Sequence, residues 1–174
     1  VPILQLIVDT IASVLGGVLL LRFWMQAIRV RPPSSVAQFT FTLTDWLVKP
    51  LRRIVPGAGG YDWASLIGAF LVVLLATSIL FIVGASAEQV FLLALGRFVK
   101  WIIYGFIALL IIEAIFSWVN PHAPLAPFVH ALNDPLLRPI RKVVPPIGGL
   151  DLSVLVAVLL LQIALYLLRI VVPI

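Results

Sequence analysis

Few side chains in this sequence could move a proton or hold a metal. His122 and His130 lie eight residues apart in a Pro-rich stretch, and Asp134 follows His130 by four. A metal site would need further His, Cys or carboxylate ligands at coordinating spacing, and a nucleophilic triad would need a Ser or Cys set against the imidazole. Neither companion can be placed. The chain has no cysteine, which removes thiol nucleophiles, disulfides and Cys-ligated metal or haem. Both histidines therefore read as loop residues. No catalytic, cofactor-binding or metal-ligating set is expected, and the chain is not read as an enzyme.

Ionisable residues inside apolar runs are the next candidates, because a charge at membrane depth is costly and normally has a partner. Asp9, Arg22, Arg97, Lys100 and Glu113 are of this kind. Of 174 residues, 63% are hydrophobic and 11% charged, with a mean hydropathy of +1.20. Soluble domains carry about 45–50% and about 25%. A core of this size cannot hide the excess, so lipid must be the solvent. About 20 apolar residues cross about 30 Å of hydrocarbon, and four such runs occur, at 3–24, 64–87, about 101–119 and 152–172. An all-α integral membrane protein with four transmembrane helices is expected. Val1–Leu21 carries Asp9 and lacks a small-residue cleavage site, so it reads as the first span rather than a signal peptide, with an initiator Met expected before Val1. Trp24, Trp46, Trp63, Trp101 and Trp118 fall near the predicted span ends, as an aromatic belt does.

Nine of the twelve Lys/Arg lie between spans one and two or between spans three and four. The positive-inside rule makes those connections cytoplasmic and both termini periplasmic, in a bacterial inner membrane. The net charge of +5 then points to anionic phospholipid rather than nucleic acid. The two basic connections are copies of each other at an offset of 89: Asp45–Asp62 lies over Asp134–Asp151 without a gap, with nine of eighteen positions identical. Residues 1–89 and 90–174 are thus two tandem helical hairpins, parallel because both start on the same side.

Within each copy a short amphipathic interfacial helix is expected, over about 45–55 and about 135–144. Asp134 reads as an N-cap and Pro135 as the first helical residue. Leu136, Leu137, Ile140, Val143 and Val144 then share one helix face, as do Leu47, Val48, Leu51, Ile54 and Val55 in the first copy. Lys49, Arg52, Arg53, Arg138, Arg141 and Lys142 fall on the opposite face, toward lipid headgroups or a partner. Gly59-Gly60 and Gly148-Gly149 turn the chain, and Asp62 and Asp151 cap the following spans. The Gly-Gly elements have no P-loop Lys and no preceding strand, so they are not phosphate cradles.

Overlaying the copies also sets depth. Arg22 corresponds to position 111, about 3 Å in depth from Glu113 at 1.5 Å per residue. An Arg22–Glu113 pair bridging spans one and three is therefore predicted near the cytoplasmic end. Asp9 corresponds to position 98, and a second pair with Lys100 or Arg97 is predicted at the other end. Both read as packing clasps, since mid-depth is apolar apart from residues such as Thr77, Ser78 and Gln162, and a conduction path needs polar groups there.

The Leu21–Gln26 stretch, the Lys49–Pro56 element and above all Asp134–Asp151 resemble the YggT (YlmG-like) family of bacterial membrane proteins over nearly the whole chain. The first copy departs from that pattern at Trp46, which stands where the second has Pro, and at Lys49, which stands where it has Arg. The resemblance implies associations with osmotic-stress resistance, cell division and nucleoid organisation, and in plastid relatives with haem attachment during cytochrome b6f assembly. It supplies no catalytic residue and no cofactor. The expected role is a non-enzymatic inner-membrane organiser, assembly or scaffold protein with a membrane-protein partner and room for homo-oligomerisation. The alternative is a small oligomeric channel or transporter in ion or osmotic balance.

Overall fold

The computed structural model describes residues 2–149 and 151–172. Val1, Leu150 of the second Gly-Gly-x-Asp turn, and the last two residues of the second copy lie outside them. Six α-helices follow one another: α1 (Pro2–Ala27), α2 (Ser34–Ile54), α3 (Trp63–Thr77), α4 (Ala87–Val119), α5 (Ala126–Val143) and α6 (Ser153–Val171). Short 3₁₀ segments at Ala58–Gly60 and Ser78–Val83 precede and extend α3. Four of the helical stretches are long and apolar enough to cross a membrane: Pro2–Ala27, Trp63–Val83, Ala87–Val119 and Ser153–Val171. Bulky apolar side chains such as Leu75 and Ile82 stand outward on them, as lipid allows and water does not.

The boundaries differ from the sequence expectation in three places. The third span begins at Ala87, not near 101, because Ser86 and Gln89 form a reciprocal capping box: Gln89 N donates to Ser86 Oγ and Ser86 N donates to Gln89 Oε1. The helix then runs through Gly96-Arg97, with Gly96 buried. At 33 residues α4 is about 50 Å long, well beyond the hydrocarbon thickness. The interfacial helices also start earlier, at Ser34 and Ala126. Asp134 is therefore inside α5 and not its N-cap; Pro127 takes the first-turn position instead, and Pro135 and Pro139 are internal. Finally, the apolar stripes of α2 and α5 do not run to their ends. Val48 and Leu137, equivalent in the two copies, are wholly buried, whereas Ile54 and Val143 are 79% and 81% exposed. Both C-terminal turns hang past the spans they pack on.

Between lipid-facing helices no hydrophobic effect drives association, so close backbone approach and van der Waals packing must do it. Small residues supply that approach. Helix α3 buries Ala64, Ser65, Gly68, Ala69 and Ala76 against α1 and α2. On α1, the Trp101 ring of α4 lies directly on Gly16, where an added Cβ would come within 2.2 Å of Cζ3. On the other side, α4 packs on α5 and α6 through Leu110, Leu137 and Ala157. Trp24, near the end of α1, donates from Nε1 to Leu132 O of α5 at 2.9 Å and meets Phe106 edge-on. The C-terminal end of α1 and helix α5 therefore share one end of the bundle.

Gly16→Val overpacks the α1–α4 contact and is expected to cost about 1–3 kcal/mol. Gly17→Ala, where a Cβ meets nothing within 4 Å, should be neutral or stabilising by up to about 1 kcal/mol. Thermal unfolding of the two variants in detergent checks the contrast.

Candidate functional site

The charged side chains gather into three clusters, two at the end of the bundle that carries α2 and α5 and one at the other. In the first hairpin Arg22, 5% exposed, projects from α1 toward α2. Its Nη1 donates to Asp45 Oδ1 at 2.7 Å and to Thr44 Oγ1 at 2.8 Å, and its guanidinium stands 4.8 Å from the centre of the Phe41 ring. Its Nε faces Asp62 Oδ2 at 3.8 Å. Asp62 is buried at the start of α3. It accepts from Arg52 Nη2 at 2.7 Å and from Ser65 Oγ at 2.6 Å, and also caps α3 through Ser65 N. Its own backbone N–H donates to Gln26 Oε1 at 2.9 Å, while Gln26 Nε2 donates to Gly60 O. Gly59 and Gly60 adopt φ of +68° and +79°, the left-handed values that let the chain turn back here.

The second hairpin builds the equivalent cluster with the opposite sign at its centre. Glu113 of α4 accepts from Asn133 Nδ2 at 2.6 Å and shares a 2.8 Å hydrogen bond with His130 Nδ1. Arg141 Nη2 lies 3.6 Å from Glu113 and 3.0 Å from Asp151, and its Nη1 is 3.9 Å from Asp134. Asp151 accepts from Ser153 N and Oγ, just before α6. At the offset of 89, His130, Asn133 and Arg141 occupy the places of Phe41, Thr44 and Arg52. The first two of these positions thus contact a buried cation in one hairpin and a carboxylate in the other, while the third pairs with the Asp that precedes the next span in both. Within a cavity of about 380 Å³ Glu113, His130, Arg141 and Asp151 line one open mouth, whereas Arg22 and Asp62 are buried. Gly148 and Gly149 take the same left-handed φ as Gly59 and Gly60.

The predicted Arg22–Glu113 pair is not formed; this is a correction. Each charge finds partners in the interfacial helix of its own hairpin, Thr44 and Asp45 for Arg22 and His130, Asn133 and Arg141 for Glu113; Thr44, His130 and Asn133 lie in turns N-terminal to the expected helices. Helix α4 is also out of step with α1, since Trp24 meets Phe106 and not the neighbourhood of Glu113. At the other end Arg97 donates to Asp9 at 2.5 Å and to Thr77 Oγ1 at 3.1 Å, tying α4 to α1 and α3, while Lys100 has no ion pair among the described residues. The six basic residues of the interfacial helices divide. Arg52 and Arg141 are turned inward onto Asp62 and Asp151, and Lys49 and Arg138 pair with Asp45 and Asp134 one turn back. Arg53 and Lys142 are exposed and have no ion-pair partner among the described residues. His130 is not a loop residue but a helical partner of Glu113. Gln26, Thr44 and Asn133 were missed outright; the offset itself was the available signal for the last two, since both fall one residue before the repeated Asp.

Three carboxyls outside the spans are held below their ordinary range. For Asp45 the Arg22 hydrogen bond dominates. Burial pushes Asp62 and Asp151 up, but hydrogen bonds from Arg52 and Ser65, and from Ser153 and Arg141, outweigh it. Among the described residues no group of three or more His, Asp or Glu is placed to hold a metal. What these clusters do chemically is neutralise charge and fix helix positions.

Such a bundle, all helical among the described residues and with its ionisable groups clasped near the span ends, defines a small polytopic membrane protein. The chain belongs to the CCB3/YggT family, whose model matches residues 1–83 and 92–172. It is 34% identical to the uncharacterised protein YggT of Escherichia coli K12 over 92% of this chain and 86% of that one. It is 33% identical to an uncharacterised protein in the proC 3' region of Vibrio alginolyticus, over 94% and 92%. It is 37% identical to the uncharacterised protein PA0392 of Pseudomonas aeruginosa, over 90% and 83%. No solved structure matches the chain.

Arg22→Asp leaves like charges packed together and should destabilise the protein by about 3–5 kcal/mol, the range for breaking a buried pair. Asp45→Arg, not a reversal at Glu113, should recover part of the loss in a double variant, read as yield and melting midpoint. The lowered carboxyls also set an acid limit. An unfolded chain takes up protons at about pH 3.9 before the folded one does, so the stabilisation is full above that value and is lost as pH falls through the lower folded values. The melting midpoint should drop below about pH 4, and Asp62→Asn should flatten that drop.

Proposed function

We propose that this protein is a non-enzymatic organiser of the bacterial inner membrane, a scaffold on which a membrane-protein partner assembles. In this reading two tandem hairpins stand parallel in the bilayer, with α2 and α5 on the cytoplasmic surface and the termini in the periplasm. The observation that carries it is how the charge is spent. Nearly all buried ionisable groups are consumed in internal clasps at the two ends, and the interior between them is apolar. The cavity of about 320 Å³ between α1 and α4 is walled by residues such as Gly17, Leu21, Trp101 and Phe106, with no ionisable side chain. A channel or transporter would need polar groups along such a path, so the apolar interior favours the scaffold over that alternative. The two stretches matched by the family model divide the chain near the boundary between the hairpins, which supports the duplication.

Arg53 and Lys142, which have no ion-pair partner among the described residues, are the groups offered to anionic phospholipid headgroups. Each is worth about 1 kcal/mol near a charged surface. The double variant Arg53→Gln/Lys142→Gln should therefore lose affinity for phosphatidylglycerol in nanodiscs while keeping its melting midpoint. Cross-linking in native membranes followed by purification should return a stoichiometric membrane-protein partner. Ion flux through liposomes carrying the pure protein, abolished by Glu113→Gln, would reject the scaffold reading in favour of a channel.

A further inference from the structure

Helix α6 carries a polar group that no described residue bonds. Gln162 stands nine residues from either end of a helix of 19 residues, which at about 1.5 Å per residue spans about 28 Å. That places the amide near the middle of the hydrocarbon. The side chain is exposed and makes no hydrogen bond among the described residues. Four hydroxyl side chains within the spans solve this problem locally. Thr10 and Thr77 donate to the carbonyl four residues back, and Ser13 and Ser78 to the one three back. A glutamine amide has two donors and an acceptor, and lipid offers it none of their counterparts.

The surroundings of Gln162 define a surface. The inward face of α6, with Ala157, Leu161, Leu165 and Leu168, packs on α4 and α5. Leu155, Leu159, Gln162 and Tyr166 lie off that face, spaced four, three and four apart, and all are exposed. This alternation is the seam of a left-handed helix pair crossing at about 20°.

We infer that α6 is a homodimer interface, in which Gln162 pairs with Gln162 of a second copy across a two-fold axis along the membrane normal. The amide is self-complementary: each NH₂ donates to the other's carbonyl, so one residue satisfies both copies. Two copies inserted in the same direction bring their glutamines to the same depth, which an unrelated helix would have to match with a polar residue of its own. A single polar position in an otherwise apolar seam also fixes register, as a buried Asn does in coiled coils.

The full chain in vesicles of phosphatidylethanolamine and phosphatidylglycerol tests this. The natural sequence has no cysteine, so single-cysteine variants report proximity directly. Leu159→Cys should cross-link between copies under mild oxidation, and Leu75→Cys, 71% exposed on α3, should not. Energy transfer between labelled copies, followed on dilution into excess lipid, should show dimers. Gln162→Leu should weaken their association about tenfold, with helix content and melting midpoint unchanged, and Gln162→Asn should keep most of it. A natural sequence that stays monomeric at every protein-to-lipid ratio overturns the inference. So does equal cross-linking at positions 159 and 75, or association unaffected by Gln162→Leu.

Discussion

A charge carried to the edge of a bilayer must be neutralised by the protein itself, and the closure of each hairpin follows from that constraint. Asp62 is where it is met in the first hairpin. Its carboxylate holds Arg52 at 2.7 Å, caps α3 through Ser65 and faces Arg22, while its backbone holds Gln26. Four elements, the end of α1, helix α2, the glycine turn and the start of α3, are thereby fixed to one side chain. With the carboxylate removed, the C-terminal turn of α2 would lose its ion pair to the start of α3, and among the described residues the only polar bonds left between α2 and the spans would be those of Arg22 to Thr44 and Asp45. The apolar contacts under Val48 and Leu51 add adhesion, but they do not fix register as a directed pair of hydrogen bonds does.

The second hairpin keeps this frame and inverts its centre. Arg52 and Asp62 recur as Arg141 and Asp151, in the same relation, with the same left-handed glycines between them. Arg22 does not recur. The second hairpin instead carries Glu113 two positions further along, and the residues that contact it have changed to match: Asn133 donates where Thr44 accepts, and His130 replaces the aromatic face of Phe41. The two hairpins are therefore not interchangeable. One is built around a buried cation with three basic groups against two carboxylates, Arg22, Arg52 and Lys49 with Asp45 and Asp62. The other is open around an anion, with Arg138, Arg141 and the imidazole against Glu113, Asp134 and Asp151.

Contacts between the hairpins are of a different kind. Apart from the Arg97 clasp and the Trp24 bond to Leu132, they are steric, with Trp101 seated on Gly16 and α3 approaching α4 through Phe70 and Phe98. In lipid such contacts depend on shape alone. They hold the halves together with few polar bonds between them.

Much was legible in the sequence because it depends on composition and local chemistry. Apolar runs long enough to cross a bilayer, basic connections between them, the offset of 89, the glycine turns and the capping role of Asp62 are all properties of a residue and its near neighbours. The extents of α2, α4 and α5 were less legible. The capping box at Ser86 and the prolines near Ala126 are local signals too, but the polar turns at 34–44 and 126–133 look like loop until something buries Thr44 and Asn133. Pairing of charges was legible at one end only, where the offset put Asp9 beside Arg97. Depth along the membrane normal placed Arg22 and Glu113 together, yet depth is one coordinate of three. Only the tertiary structure decided that each faces its own interfacial helix, because helix rotation and the crossing of α4 over α1 are set by which side chains pack, as Trp101 does on Gly16. A sequence records the charges and the apolar runs that carry them; how deep they sit against one another and which way they point are settled by packing.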